Sequence, residues 1–276
     1  PKTIISNTSN WITKDFNLTF SDTDNSNGSG IMNSFYMISS KDSTGWKSNI
    51  NNGFFNDPFD VLDQKWIQLS GNWNVGPDGL SGTDNLSSNT NIYTDFQVDS
   101  NEKYILHWKV KITGSGTNQR GGLHFSCDNP QLSNRGNSYF SFIREDHNKL
   151  QFYKVSNNSY TLVHNEPLNV NLNTWYDNKI IWDVNNGLFH FYIDDRFIFS
   201  WQDNNPINSG NWLSLRTGST KMDFKFIRIY KSRSNSVPVS IGPQSIKDIQ
   251  NENSTPPSPS GLIYSLCIDS SLNIDN

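Results

Sequence analysis

From residue 54 to residue 241 the chain runs in short stretches whose side chains alternate between apolar and polar, and this period of two constrains the fold more than any other feature. Over residues 104–112, Leu106, Trp108, Val110 and Ile112 fall on one side and Ile105, His107, Lys109 and Lys111 on the other. Leu123, Phe125 and Cys127 alternate with Gly122, His124 and Ser126, and Phe140 and Phe142 alternate with Tyr139, Ser141 and Ile143. Similar runs occupy 150–155, 175–182, 188–193, 197–201, 212–217 and 224–230, divided by Asn, Gly, Asp and Pro. Successive side chains of an extended chain point to opposite faces, so each run reads as a strand with one buried face. Roughly ten such strands at short spacing predict a β-sandwich or barrel. On this reading Phe140 and Phe142 belong to the core, while His107, His124, Tyr139, Tyr153, His190 and Arg216 face outward.

Composition agrees. The sequence has no Ala and four Glu, at 102, 145, 166 and 252, so strong helix formers are scarce. Aromatic residues make up 13% of the chain and supply the core volume. The formal net charge of -4 argues against a nucleic-acid binder, which carries a basic patch or stripe. No run of 18 apolar residues occurs, so no helical membrane span is expected. Without a secretory signal at its start, Pro1 is read as the beginning of a fragment or processed chain. Cys127 and Cys267 fall in different predicted units; two buried thiols are favoured over a disulfide.

Four zones follow. Residues 1–53 form a small β segment with strands expected near 3–5, 16–20 and 34–38 and a polar loop over 21–30. Residues 54–241 form the sandwich. Residues 242–260 are a Pro/Ser/Asn-rich connector ending in Thr255-Pro256-Pro257-Ser258-Pro259-Ser260, and 261–276 hold one terminal strand.

The second half of the sandwich zone resembles laminin-G-like and other concanavalin A-like jelly-roll modules. Asn173-Thr174-Trp175-Tyr176 through Trp182 is similar to the family's Trp-led strand, and Gly187 through Asp195 to its hairpin ending in an acidic turn. Leu213-Ser214-Leu215-Arg216-Thr217-Gly218 and Asp223 through Tyr230 are similar to its last two strands, and Phe55-Asn56-Asp57-Pro58-Phe59-Asp60 with Trp66 and Trp73 to its first hairpin. The flanks resemble halves of a bacterial immunoglobulin-like repeat, on Trp11 through Phe20 with Gly28-Ser29-Gly30-Ile31, and on Ile263 through Asn273, where Leu272 stands in place of the family's Gly. The resemblance implies that the sandwich is inserted in, or packed on, a small immunoglobulin-like β-domain whose halves pair between residues 1–40 and 261–270; the alternative is two unrelated flanking segments with no ladder between them.

The concanavalin A-like fold hosts lectins, adhesion modules, hydrolases and lyases, so function must come from the site. Glycoside hydrolysis needs two carboxylates about 5–10 Å apart. Hydrolases of this fold set them on one strand as E-x-D-x-E or E-x-D-x-x-E, and neither pattern occurs. A lyase would use a Tyr or His base with Arg and Asn to neutralise a sugar carboxylate; His124, Tyr139 and Arg216 are the candidates, and they must share one groove. Arg120, Asn134, Arg135, Asn137 and Arg144 add donors around one long loop, and Trp201 and Trp212 are candidates for stacking on sugar rings. The resemblance also implies a structural Ca²⁺ near the first strand, on Asp223 with Asp57 or Asp60 and backbone carbonyls. Asp22 and Asp24 do not begin an EF-hand, because Asn27 and Asn33 stand where its Gly and Glu are needed. Five scattered His form no zinc pattern.

The expected function is that of a non-catalytic binding or adhesion module of a secreted, bacterial cell-surface protein, recognising glycan or another surface ligand alongside other domains of the same chain. The expected ligand residues are His124, Arg135, Tyr139, Arg144, Trp201 and Arg216. The alternatives are a polysaccharide lyase or glycoside hydrolase, and a structural spacer in a filament or secretion-related assembly.

Overall fold

The computed structural model describes residues 2–6, 15–24, 26, 31–42, 45–48, 54–84, 89–114, 116–239, 245–248, 262–269 and 273–275. Every regular element among them is a strand. The chain divides into two compact units, one of Pro1–Asp57 with Arg228–Asn276 and one of Pro58–Ile227.

The second unit holds an antiparallel seven-stranded sheet. Its order is β14 (Ser159–Pro167), β13 (Lys149–Ser156), β12 (Ser138–Arg144), β11 (Arg120–Cys127), β18 (Trp212–Gly218), β9 (Asn91–Asp95) and β6 (Ile67–Ser70). The facing sheet runs β17 (Arg196–Gln202), β16 (Leu188–Ile193), β15 (Trp175–Asp183), β10 (Lys103–Ile112) and β19 (Lys221–Ser232), followed by β8 (Gly79–Thr83) and β7 (Asn72–Gly76). Register decides which side chains lie between the sheets. Tyr104 sits opposite Trp182, Leu106 opposite Ile180, and Ile180 opposite Phe191, so these share the inner face of the second sheet. Phe125 meets them from the first sheet, its ring centroid 5.2 Å from that of Trp182. Phe189, Phe152 and Phe191 close the layer, with Phe152 and Phe191 centroids 4.6 Å apart. On β10 the face expected to be buried is in the core, with Leu106, Trp108, Val110 and Ile112, and Ile105 and His107 on the other face are buried as well.

β12 corrects the sequence expectation. Tyr139 is opposite Phe125 and Phe140 opposite His124, so Tyr139, Ser141 and Ile143 face the core and Phe140 and Phe142 the outside. The strand is apolar on both faces, so alternation could not say which face was inner; pairing with β11 does.

The outer face of the second sheet is laced with polar contacts. His107 Nε2 lies 2.7 Å from Asp177, and Lys103 lies 3.1 Å from Asp183. Cys127 is a free, buried thiol, and burial pushes its pKa well up.

In the first unit, β1 (Lys2–Ser6), β2 (Phe16–Thr23) and β20 (Ser236–Val239) form an antiparallel sheet over Leu18, Phe20, Val237 and Val239. Asp22 accepts hydrogen bonds from Thr3, Ser34 and Arg233, the last at 2.6 Å, while the Arg233 guanidinium lies 4.1 Å from the Phe20 ring centroid. β3 (Ile31–Asp42) pairs with β4 (Gly45–Ser48), β22 (Leu262–Asp269) and β23 (Asn273–Asp275). A ladder therefore joins the two flanks, with Ile38 opposite Ile268. Residues 242–260 are not wholly connector: β21 (Ser245–Asp248) runs parallel to β22. The Pro-rich stretch at 255–260 and residues 7–14 lie outside the described residues, and so does the Cys267 side chain.

Trp182 touches aromatic rings from both sheets. Trp182→Ala is expected to cost about 3–5 kcal/mol, because a cavity that large cannot collapse. Chemical denaturation of the two proteins checks this.

Candidate functional site

The outer face of the seven-stranded sheet gathers most of the side chains that can hold a ligand. Register lays them out in rows across the strands. One row reads Leu162, Tyr153, Phe140, His124, Ser214, Tyr93, from β14 to β9. The next reads Asn165, Gln151, Phe142, Gly122, Arg216. The third contains Lys149, Arg144 and Arg120 on three adjoining strands. Gly122 is required in the middle row, since a Cβ there would stand 1.8 Å from the Ser141 carbonyl oxygen.

The floor is aromatic. Phe140 and Phe142 lie under the Arg216 guanidinium, their centroids 5.4 and 5.7 Å from its central carbon. Tyr153 stands 5.8 Å from Phe140, and Tyr160 packs edge-on against Tyr153 at 5.7 Å. Tyr160 is 63% exposed, so a flat hydrophobic surface meets solvent at this rim. Polar groups edge the floor: the Tyr153 hydroxyl donates to Gln151 at 2.8 Å, and Gln151 donates to Asn165 at 3.1 Å.

Charge on this face is one-sided. The strands β11, β12, β13, β14 and β18 contain a single carboxylate, Glu166. Its register partner is Leu150, which puts it on the opposite face, and it is bonded there to His164 at 3.0 Å. Arg144 pairs with Asp146 from the adjoining turn at 3.0 Å and also donates to Asn118. Among the described residues Arg120 donates to the Asn118 carbonyl at 2.7 Å and the Asn89 side chain at 2.9 Å, with Asp146 and Asp84 acting on it from further off. Arg216 makes one hydrogen bond, to Asn134 at 3.2 Å, and its Nε is buried without a partner among the described residues. Burial, and then the neighbouring Arg120, hold the Arg216 pKa down to about 10, so it remains a cation at neutral pH.

The other expected ligand residues have different duties. Arg135 is buried in the β11–β12 loop with φ of 68°, where its guanidinium donates to Ser214, Ser133 and Thr90 at 3.0, 2.6 and 3.0 Å. It pins that loop to β9 and β18. His124 is buried beneath it, stacked on Phe140 with centroids 3.6 Å apart. Tyr139 is in the core; its hydroxyl donates to Asp203 at 2.6 Å and accepts from the Ile207 amide, and burial pushes its pKa well up. Trp201 pairs with Phe189 and packs on Phe152 at 5.5 Å, closing the core at the β17 edge rather than offering a sugar platform. Trp212 is half-buried, edge-on to Tyr93 at 5.5 Å. His124 and Tyr139 point to opposite sides of the sheet, so the trio of His124, Tyr139 and Arg216 does not share a groove. Of the expected set, Arg144 and Arg216 come together on the outer face. Arg120 and Tyr153, singled out from the sequence only as a loop donor and an outward tyrosine, join them; Tyr160 and Gln151 were missed, because their strand faces are known only from pairing.

Asp223 is engaged by cations. Its carboxylate accepts from Ser81 at 2.6 Å and has Lys111 and Lys221 ammonium groups at 3.7 and 3.8 Å. Asp60 is exposed and Asp57 buried, and no cluster of three or more metal-ligating side chains occurs among the described residues.

No family model matches the sequence, and no curated protein matches it. Among solved structures the chain is similar to the carbohydrate binding module CBM66 from Bacillus subtilis, at 18% identity and a TM-score of 0.53, over 62% of this chain and 99% of that one. It is also similar to a Bacillus licheniformis beta-glucanase, at 11% identity and a TM-score of 0.48, over 66% of this chain and 99% of that one. The likeness is one of fold. The chain is an all-β protein with a concanavalin A-like jelly-roll sandwich.

His124 carries a pH signature. Burial, then the charges of Arg135 and Arg216, hold its pKa well below the ordinary histidine value. Below the unfolded value of about 6.5 the unfolded chain takes up a proton that the folded one refuses, so stability falls on acidification by up to about 1.4 kcal/mol per pH unit. Denaturation midpoints measured between pH 7 and 5 are expected to lose this part of their slope in His124→Phe.

Proposed function

We propose that the sandwich is a non-catalytic glycan-binding module and that the outer face of its seven-stranded sheet is the binding surface. One observation carries the reading: five adjoining strands contain a single carboxylate, and its side chain faces the other way. Hydrolysis by a carboxylate pair has no residues on those strands of this face to perform it. What the face does have suits holding a sugar. An exposed aromatic ring, Tyr160, can stack on the C–H face of a pyranose, while Gln151, Asn165 and the arginines supply donors and acceptors for hydroxyl groups. A lyase built on His124, Tyr139 and Arg216 is disfavoured, because Tyr139 is a core residue with a raised pKa and His124 is buried. The fold of a carbohydrate-binding module is consistent with the reading. The wider role, as one domain of a secreted bacterial surface protein engaged in adhesion, belongs to the same proposal.

The test is retention in gels cast with soluble polysaccharides, paired with an assay for reducing ends and unsaturated products. At least one polysaccharide is expected to retard the protein with no product released. Tyr160→Ala, at an exposed site, is expected to weaken retention about tenfold, the size of losing one aromatic contact. Product release from any polysaccharide would overturn the reading, as would retardation that Tyr160→Ala leaves unchanged.

A further inference from the structure

On a chain whose formal net charge is -4, the outer face of the seven-stranded sheet gathers four cations. Lys149, Arg144 and Arg120 occupy one row on neighbouring strands, and Arg216 stands one row away on β18. Among the described residues only Arg144 is ion-paired with a carboxylate, Asp146, while Asp146 and Asp84 act on Arg120, and Asp84 on Arg216, from further off. Arg120 and Arg216 are half-buried, each depressed in pKa first by burial and then by another arginine, Arg144 and Arg120 respectively. Gathering guanidinium groups in this way costs free energy that an anion would return. Arg216 Nε, buried and without an acceptor among the described residues, is a donor open to a further partner. Adjacent strands are about 4.8 Å apart, comparable with the length of one pyranose residue, so charges carried on successive sugars can follow the row.

We propose that this face takes an acidic glycan, its carboxylate or sulfate groups along Lys149, Arg144 and Arg120, with one charged sugar on Arg216 and a ring on Tyr160. The proposal rests on the glycan-binding reading and adds the charge of the ligand to it. Planar guanidinium groups bind carboxylate and sulfate in bidentate fashion, which gives direction as well as attraction. A neutral glycan would give neither guanidinium a direct ion pair, leaving them only the more distant charges of Asp84 and Asp146.

Isothermal titration of the whole chain tests it with polygalacturonate, the same polymer after carboxyl reduction, dextran sulfate, dextran, and single-stranded DNA. Polygalacturonate or dextran sulfate is expected to bind at least about tenfold tighter than its neutral counterpart, and binding should weaken as salt rises. The tighter of the two acidic polymers identifies carboxylate or sulfate as the group recognised. Lys149→Gln, at a partly exposed site, and Arg216→Gln are each expected to lower that affinity severalfold; Arg216→Lys separates loss of charge from loss of the fork, and circular dichroism verifies folding. Equal binding of the reduced polymer, or no effect of Lys149→Gln and Arg216→Gln in folded protein, overturns the acidic preference while leaving glycan binding intact. DNA bound as tightly as the acidic polymers overturns it in favour of nucleic acid. Failure to bind every polysaccharide removes both readings.

Discussion

The register of β12 against β11 determines what the sandwich fills and what it offers. With Phe125 opposite Tyr139, the rings of Tyr139, Phe125, Phe152, Phe189 and Trp182 join into one layer between the sheets. The same register sends His124, Phe140 and Phe142 outward, where they build a second, smaller apolar layer under Arg216. A slip of one residue would exchange the two sets and leave the Tyr139 hydroxyl without Asp203. The core and the candidate binding face are therefore two consequences of a single pairing.

The outer layer owes its order to a cation that touches no anion. Arg135 spends its hydrogen bonds on two carbonyls and a hydroxyl, which fastens the β11–β12 loop across β18 and β9. The loop in turn sets Asn134, the acceptor for Arg216, and covers His124, which is neutral there. Arg135 thus acts at one remove from any ligand, by positioning the arginine that can meet it.

Much of the fold was legible in the sequence because β10, β15 and β16 alternate for most of their length, with exceptions such as Ile105 and Asn178. The site was less legible. On β12 both faces are aromatic, so the pattern was silent about orientation and Tyr139 was assigned to the wrong side. Arg135 has the composition of a binding residue, and only its buried acceptors reveal a structural role. Tyr160 and Gln151 lie on strands whose outer faces are defined by long-range pairing rather than by local period. The scarcity of Glu was visible in the sequence, but the face that Glu166 takes is set by its pairing with Leu150.

The ladder between β3 and β22 has a bearing on how the chain comes into being. β3 is made early, and its partner strand follows only after the whole sandwich unit has been synthesised. During synthesis the first unit must wait with an open strand edge, while the sandwich has all its own strands in one uninterrupted stretch and can close independently. Chain order therefore favours a sandwich that closes while the β3 edge still waits for β22, so that the first unit is completed only after the second has formed.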